Sequence, residues 1–381
     1  MSLRYNIVMT YELPESKNLP VSSLGNLFGN TSECYKFFWF WSVFERAVKG
    51  ETVMRFEDIV DDMIIHAWYM VTEYHLNLGP KDTLEAAVNK MQLLSQMKPT
   101  ESESKLREWL LSEHGKAVRK EKSTLINMVP YRLQAPFLPS ELQRESAWRS
   151  VGKKELIERF NYYDTILYHY SDLNGLDTTL TINPGWAEYL KTNQAVIDGW
   201  LKYNLIKYLQ KRNPSVPAIP DKLEPPITRN LTEVTKLWKT VLDIQPVRDI
   251  YTGNHVDRND LSIDHFVPWS YCGHDELWDL NPTAKSVNSS KSNNLPEWNI
   301  YFPRLREQEY SLYQIIHESE TAMSAFKKCE RKNLNDDHIR VNLYQPGLAQ
   351  NEFYSKLEEI LFPVYQSAVN CGFTKWTLPE E

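Results

Sequence analysis

Residues 212–230, RNPSVPAIPDKLEPPITRN, hold five prolines, and no other stretch limits this chain so severely. Each proline removes a backbone donor and crowds the preceding turn, so no regular helix runs through the segment. On either side, apolar residues recur at helical spacing. The stretch therefore reads as a semi-rigid connector and the main domain boundary. Before it, the spacing predicts helices over 33–48, 55–76, 84–96, 103–125, about 141–160 and 186–211. Asn30, Thr31 and Ser32 offer caps for the first of these. MVPYRLQAPFLPS (128–140) interrupts the pattern with three prolines. After the connector, Asn230 and Glu233 resemble a capping box. They open a helix over 231–243 with Leu231, Val234, Leu237, Trp238 and Val241 on one face. Helical patterns return at 303–330 and 350–370. The expected fold is mainly α, a helical multi-domain chain. It has an N-terminal region (1–211) for recognition or regulation, the linker (212–230), a distinct segment (231–300) and a C-terminal helical region (301–381).

Charge excludes one class of partner field. The net charge is −7, so nucleic-acid contact has to come from a local patch. The densest basic run, KAVRKEK (116–122), reads first as a solvated helix face and second as phosphate contacts. Asp58, Asp61, Asp62 and His66 fall at helical spacing. They read as the polar face of an amphipathic helix in preference to a metal-binding face. The aromatic run Phe37–Trp41 reads as buried. Four cysteines occur and none forms a C-x-x-C pair, which gives no support to a four-ligand zinc site and fits a reducing cytosol. MSLRYNIVMTYELPESKNLP lacks a signal layout, and YKFFWFWSVF (35–44) is too short to span a bilayer. The expectation is a soluble, cytoplasmic chain with no membrane partner.

Residues 247–298 differ from their surroundings. VRDIYTGNHVDRNDLSIDHFVPWS reads as two short strands joined by a polar turn. YCGHDELWDLNPTAKSV reads as an irregular loop, and NSSKSNNLPEW as a helix start. Asp264 and His265 stand side by side in a run that is otherwise a buried strand. Neighbours on a straight strand point to opposite faces. A strand end or bulge near Pro268 would let both approach one site.

The order IYTG, IDHFVPWS, LNPT, NSSKSNNLP resembles the HNH nuclease motif of the ββα-metal fold. The form is Asp-His…Asn…Asn, as in the target-strand-cutting domain of CRISPR effector nucleases. The resemblance is confined to about residues 247–298 and implies a small ββα-metal (HNH) nuclease module in the helical chain. It implies a catalytic pair, with His265 as general base and Asn281 fixing the loop and orienting the base. Asp264 and Asn288 would be metal ligands, and Lys291 would bind the substrate phosphate. His274 reads as a loop histidine more readily than as a further ligand, and Tyr251 as core. Oxygen donors suit Mg²⁺, with Mn²⁺ able to substitute. No structural zinc is expected, since Cys272 stands alone, and packing by Trp269, Trp278 and Trp298 would brace the module instead.

The implied activity is metal-dependent hydrolysis of a nucleic-acid phosphodiester, with DNA as the substrate and 5′-phosphate and 3′-hydroxyl ends as products. A neutral imidazole is suited to take a proton from water near pH 7. Bacterial defence or restriction is the role suggested by analogy, with a homodimer or a defence-system protein as further partner. In 241–300 acidic residues outnumber basic ones nine to four, so the phosphate grip must come largely from the metal and other segments. Residues 116–122, Lys202, Lys207, Lys211 and Arg212 are candidates. Two other readings stand: a nucleic-acid-binding or assembly protein with an inactive nuclease module, and an RNase-type toxin.

Overall fold

The computed structural model describes residues 13–29, 31, 33–80, 82–143, 151–171, 173–225 and 229–379. The caps expected at Asn30 and Ser32, and residues 144–150 of the helix expected over 141–160, lie outside the described residues. The chain divides into two units, 1–213 and 214–381. Most described residues are helical, and no helix among them is long and apolar enough to cross a membrane.

The first unit is built on the aromatic helix Tyr35–Val48, where Phe37–Phe40 are all but inaccessible. Helix Phe56–Thr72 packs on it, and Thr83–Ser95, capped by the Asp82 carboxylate, packs on Phe56–Thr72 in turn. A small antiparallel sheet places Thr179–Ile182 between Val53–Arg55 and Tyr168–Tyr170.

Two expectations fail here for local reasons. The helix expected over 103–125 ends at Leu111 and is followed by a tight turn, Glu113–Val118, and a second helix, Arg119–Leu125. Gly115 sits so close to the Leu110 carbonyl that a Cβ would lie 2.0 Å from it. In 128–140 a short helix, Val129–Gln134, forms after all, because Pro130 occupies its first turn, where no intrahelical donor is needed.

The acidic stretch of helix Phe56–Thr72 is also not a solvated face. Asp61 is buried 2.5 Å from Lys122, and Asp62 lies 2.5 Å from Arg46 and 2.8 Å from Arg107. Lys122 thus leaves the basic run for the interior.

In the second unit, helix α1 (Thr232–Ile244) is followed by strands β1 (Leu261–His265) and β2 (Leu280–Ala284) and helix α2 (Lys285–Lys291). A two-residue strand β3 (Leu295–Pro296) leads into helices α3 (Trp298–Glu318), α4 (Glu320–Asn333), α5 (Asp337–Tyr344) and α6 (Gln350–Asn370). Strand β4 (Lys375–Trp376) pairs in parallel with β3. Val234, Leu237, Trp238 and Val241 of α1 are completely buried, and they share one core with Phe266, Leu280, Leu305 and Leu361. The C-terminal helices therefore belong to the same hydrophobic body as the ββα segment.

The proline-rich stretch is anchored to that body. Lys222 is fully buried, and its ammonium donates to the carbonyls of Pro217 (2.5 Å) and Tyr271 (2.7 Å). Burial pulls its pKa down to about 8. At the N-terminus of α1, Asn230 accepts from the Thr232 amide at 3.2 Å, but Glu233 pairs forward with Lys236, so the reciprocal half of the capping box is missing.

Candidate active site

β1 and β2 run antiparallel with Asp264 opposite Asn281 and His265 opposite Leu280. β1 stops at His265. The Phe266 amide donates to the Asp279 carbonyl and the Val267 amide to the Asp279 carboxylate, each at 2.8 Å, and Pro268 follows. Among the described residues of the second unit, only β1 precedes β2 as a strand. The first strand expected in 247–260 is a turn, with a single bridge between Arg248 and His255. The cause is Asp249, whose carboxylate accepts the amides of Tyr251 (2.8 Å) and Thr252 (3.4 Å) and the Thr283 hydroxyl (2.6 Å). A side chain that satisfies nearby amides competes with ladder pairing. Arg304 and Gln308 of α3 hold this turn through the carbonyls of Arg248, Ile250 and Tyr251.

Asp264 and His265 are each 4 % exposed, and their side chains share no hydrogen-bond partner, as alternation along a strand requires. The Asp264 carboxylate accepts the Tyr251 hydroxyl at 2.5 Å and the Lys291 ammonium at 3.1 Å. Lys291 has no exposed surface and donates also to the His265 carbonyl at 2.7 Å. Its ammonium faces inward and lashes α2 to the end of β1. Burial, and then the Asp264 charge, push the Tyr251 pKa far up, so its hydroxyl stays a donor.

His265 has its own partners. Nε2 lies 2.9 Å from an Asp275 carboxylate oxygen, and Nδ1 lies 3.4 Å from the Arg229 guanidinium. A carboxylate accepts and a guanidinium donates. In the neutral ring this places the proton on Nε2 and the lone pair on Nδ1. Burial lowers the His265 pKa; Asp275 opposes the shift and Arg229 adds to it. The ring is thus a fixed, neutral imidazole whose one base atom, Nδ1, faces the Arg229 guanidinium.

Asn288 is half-buried and donates its amide nitrogen to the Ser262 hydroxyl (2.8 Å) and the Ile263 carbonyl (3.1 Å). Its carbonyl oxygen makes no hydrogen bond among the described residues. Asn281 is fully buried beside the Tyr251 hydroxyl, and neither of its amide atoms has a hydrogen-bond partner of good geometry. Of the residues expected at the site, Asp264, Asn281 and Lys291 gather around Tyr251, Asn288 docks on β1, and His265 faces Asp275 and Arg229. Sequence reasoning placed Tyr251 in the core. It is buried, yet its hydroxyl holds the carboxylate. Asp275 and Arg229 were missed, because nothing in local spacing announces a contact made across a loop.

A second group lies in that loop. Cys272, His274 and Asp279 offer ligand atoms within 4.8 Å of one another. Burial raises both the Cys272 thiol and the Asp279 carboxyl well above their usual range. Thiol, imidazole and carboxylate together form a donor set that Zn²⁺ accepts. The expectation of no structural zinc rested on the lack of paired cysteines, and this group is assembled without them.

Bracing by aromatic packing is visible around Trp298, which stacks on Phe302 at 4.1 Å and meets Tyr365 at 4.9 Å and Phe266 at 5.9 Å.

Comparison with known proteins gives one finding for the turn, both strands and α2. Residues 249–297 match the family model of HNH endonucleases. No curated protein and no solved structure matches the chain. The match opens on Asp249, which ties the turn to β2, and closes on Glu297, whose amide pairs with Trp376 at 2.9 Å. Within a largely helical chain, residues 249–297 are thus similar to HNH endonucleases.

Proposed function

We propose that the second unit hydrolyses phosphodiester bonds of DNA, with His265 Nδ1 taking the proton from the attacking water. The observation that carries this reading is the Asp275–His265 contact at 2.9 Å. It orients a buried imidazole and leaves one lone pair for base chemistry. Asp275 acts as a positioning residue.

A divalent cation suits the donors present. Asp264 keeps carboxylate lone pairs beyond those taken by Tyr251 and Lys291, and Asn288 keeps an unbonded amide oxygen. These are hard oxygen donors of the kind Mg²⁺ prefers, with Mn²⁺ as a substitute. When bound, such a cation supplies charge neutralisation at the phosphate and stabilises the leaving oxygen. Lys291 keeps the Asp264 carboxylate and the end of β1 in place. Asn281, buried and unbonded opposite Asp264, is a polar group available to a ligand of the filled site.

The test uses plasmid, linear duplex, single-stranded DNA and RNA, each with Mg²⁺ or with EDTA. The expected result is DNA cleavage that needs the metal and is lost in His265→Ala. Equal behaviour of wild type and His265→Ala on every substrate would overturn the catalytic reading. Cleavage of RNA alone would overturn the choice of DNA.

A further inference from the structure

None of the four cations of segment 241–300 contacts the His265 ring. Arg258 pairs with Asp243 at 2.8 Å, and Lys285 lies 4.0 Å from Asp260. Arg248 donates to the Gly253 carbonyl, and Lys291 is buried on Asp264. The cation at His265 comes from elsewhere. Arg229 precedes the matched segment and is exposed, and it has no carboxylate partner among the described residues. Two contacts hold it. Its guanidinium lies 5.4 Å from the centroid of the Trp269 ring, and one nitrogen lies 3.4 Å from His265 Nδ1. Trp269 is half-buried and opens the one-turn helix Trp269–Cys272 directly after Pro268. The chain that carries the imidazole therefore also carries the platform for the arginine.

An arginine without a counter-anion, resting on an aromatic face, is poised for an anion. Its present acceptor is a neutral imidazole at a long distance. A phosphate oxygen is a stronger acceptor, because the bond is then charge-assisted on both sides and the guanidinium fork can engage two oxygens. We propose that Arg229 and Trp269 form the subsite that binds the DNA backbone phosphate at the cleavage position, with Arg229 moving from His265 Nδ1 to the phosphate as substrate binds. This rests on the reading of His265 as the base. It gives the arginine two effects. The phosphate gains a cation that the acidic segment does not bring to His265, and the lone pair of the base is uncovered only when a phosphate has drawn the guanidinium away. Trp269 keeps the guanidinium over the site in both states.

The experiment measures binding of a fluorescein-labelled DNA duplex to the full chain by anisotropy, in a His265→Ala background, over a range of salt concentrations. Arg229→Ala should weaken binding by about 10-fold and reduce the slope of log K against log salt by about 1. Arg229→Lys keeps the charge but not the fork, and should bind with intermediate affinity and an unchanged slope. Trp269→Leu should weaken binding less than Arg229→Ala, also with an unchanged slope. Unaltered affinity and slope in Arg229→Ala, or no DNA binding by the parent protein, would overturn the subsite. Cleavage by the chain with His265 restored separates the two readings. If that chain cuts no DNA while Arg229→Ala still weakens binding, the catalytic reading falls and the subsite stands. If it cuts DNA and Arg229→Ala changes neither binding nor cleavage, the subsite falls and the catalytic reading stands.

Discussion

Replacing Lys291 with methionine tests the innermost contact of the site. The ammonium lies 3.1 Å from one Asp264 oxygen and 2.7 Å from the His265 carbonyl, with Lys291 fully buried and Asp264 4 % exposed. Two unit charges at this separation attract by about 5 kcal/mol at an effective dielectric of ~20. Desolvation offsets much of that in the intact pair. Removing one partner, however, leaves a buried carboxylate facing only the Tyr251 hydroxyl, and such a loss costs about 3–5 kcal/mol. Lys291→Met should destabilise the second unit by that amount. Urea-dependent hydrogen exchange of peptides from 261–291 reads this unit separately from the first. The double variant Asp264→Asn/Lys291→Met carries no buried charge, so its loss should fall short of the sum of the single losses by at least about 1 kcal/mol. A cost below about 1 kcal/mol for Lys291→Met, or simple additivity in the double variant, would refute the reasoning. The salt slope of DNA binding should not change in Lys291→Met, because its ammonium faces the carboxylate and not the solvent.

Three further outcomes can be checked. Asp275→Asn weakens a charge-assisted contact to His265, worth about 1.5–3 kcal/mol, and kcat for DNA cleavage should fall by about 10- to 100-fold with little change in KM; an unaltered kcat would remove Asp275 from the mechanism. Burial raises the Asp82 pKa to about 6, so the folded form holds the proton more tightly than the unfolded chain does. Its contribution to stability is present below about pH 4 and is lost as the pH rises through about 6. Asp82→Asn should therefore gain about 3 kcal/mol on wild type between pH 4 and pH 7 in chemical denaturation, and a pH-independent difference would count against it. Gly273 takes φ +68°, and a Cβ there would meet the Ala218 Cβ at 2.6 Å, so Gly273→Ala should cost about 1–3 kcal/mol; a melting temperature equal to wild type would contradict this.

The helices were legible because burial imprints a 3.6-residue period. Leu231, Val234, Leu237, Trp238 and Val241 were assigned to one face; the last four are inaccessible, and Leu231, just before the helix, is partly buried. Of the ββα segment, β1 and the order of the motif were legible, but β2 lies inside 271–287, the stretch that reads as an irregular loop. What escaped the sequence is whatever depends on a distant partner. Asp61 and Asp62 look like a wet helix face until Lys122 and Arg107, far along the chain, neutralise them. Lys291 looked like a phosphate ligand, since spacing places it on a helix near the motif but does not say which way its ammonium points. His265 was found from its neighbours in sequence, but Asp275 and Arg229 reach it from ten and 36 positions away. Asp249 misled strand assignment, since a side chain that caps its own turn leaves the pattern of a strand with a single bridge of its pairing.

The parallel pairing of β3 with β4 has a consequence for timing. Leu295 comes four residues after the end of the helix that carries Asn288 and Lys291, yet it pairs with Lys375, and the Leu295 amide finds its acceptor on Thr374 at 2.8 Å. A ribosome that has delivered every residue of the HNH segment has still to make Thr374–Trp376 before this flank can close. Through that interval the nascent chain holds the whole matched segment without the strand that closes its flank. Closure of this flank is thereby tied to the synthesis of α3 to α6, and the order of synthesis sets when it happens.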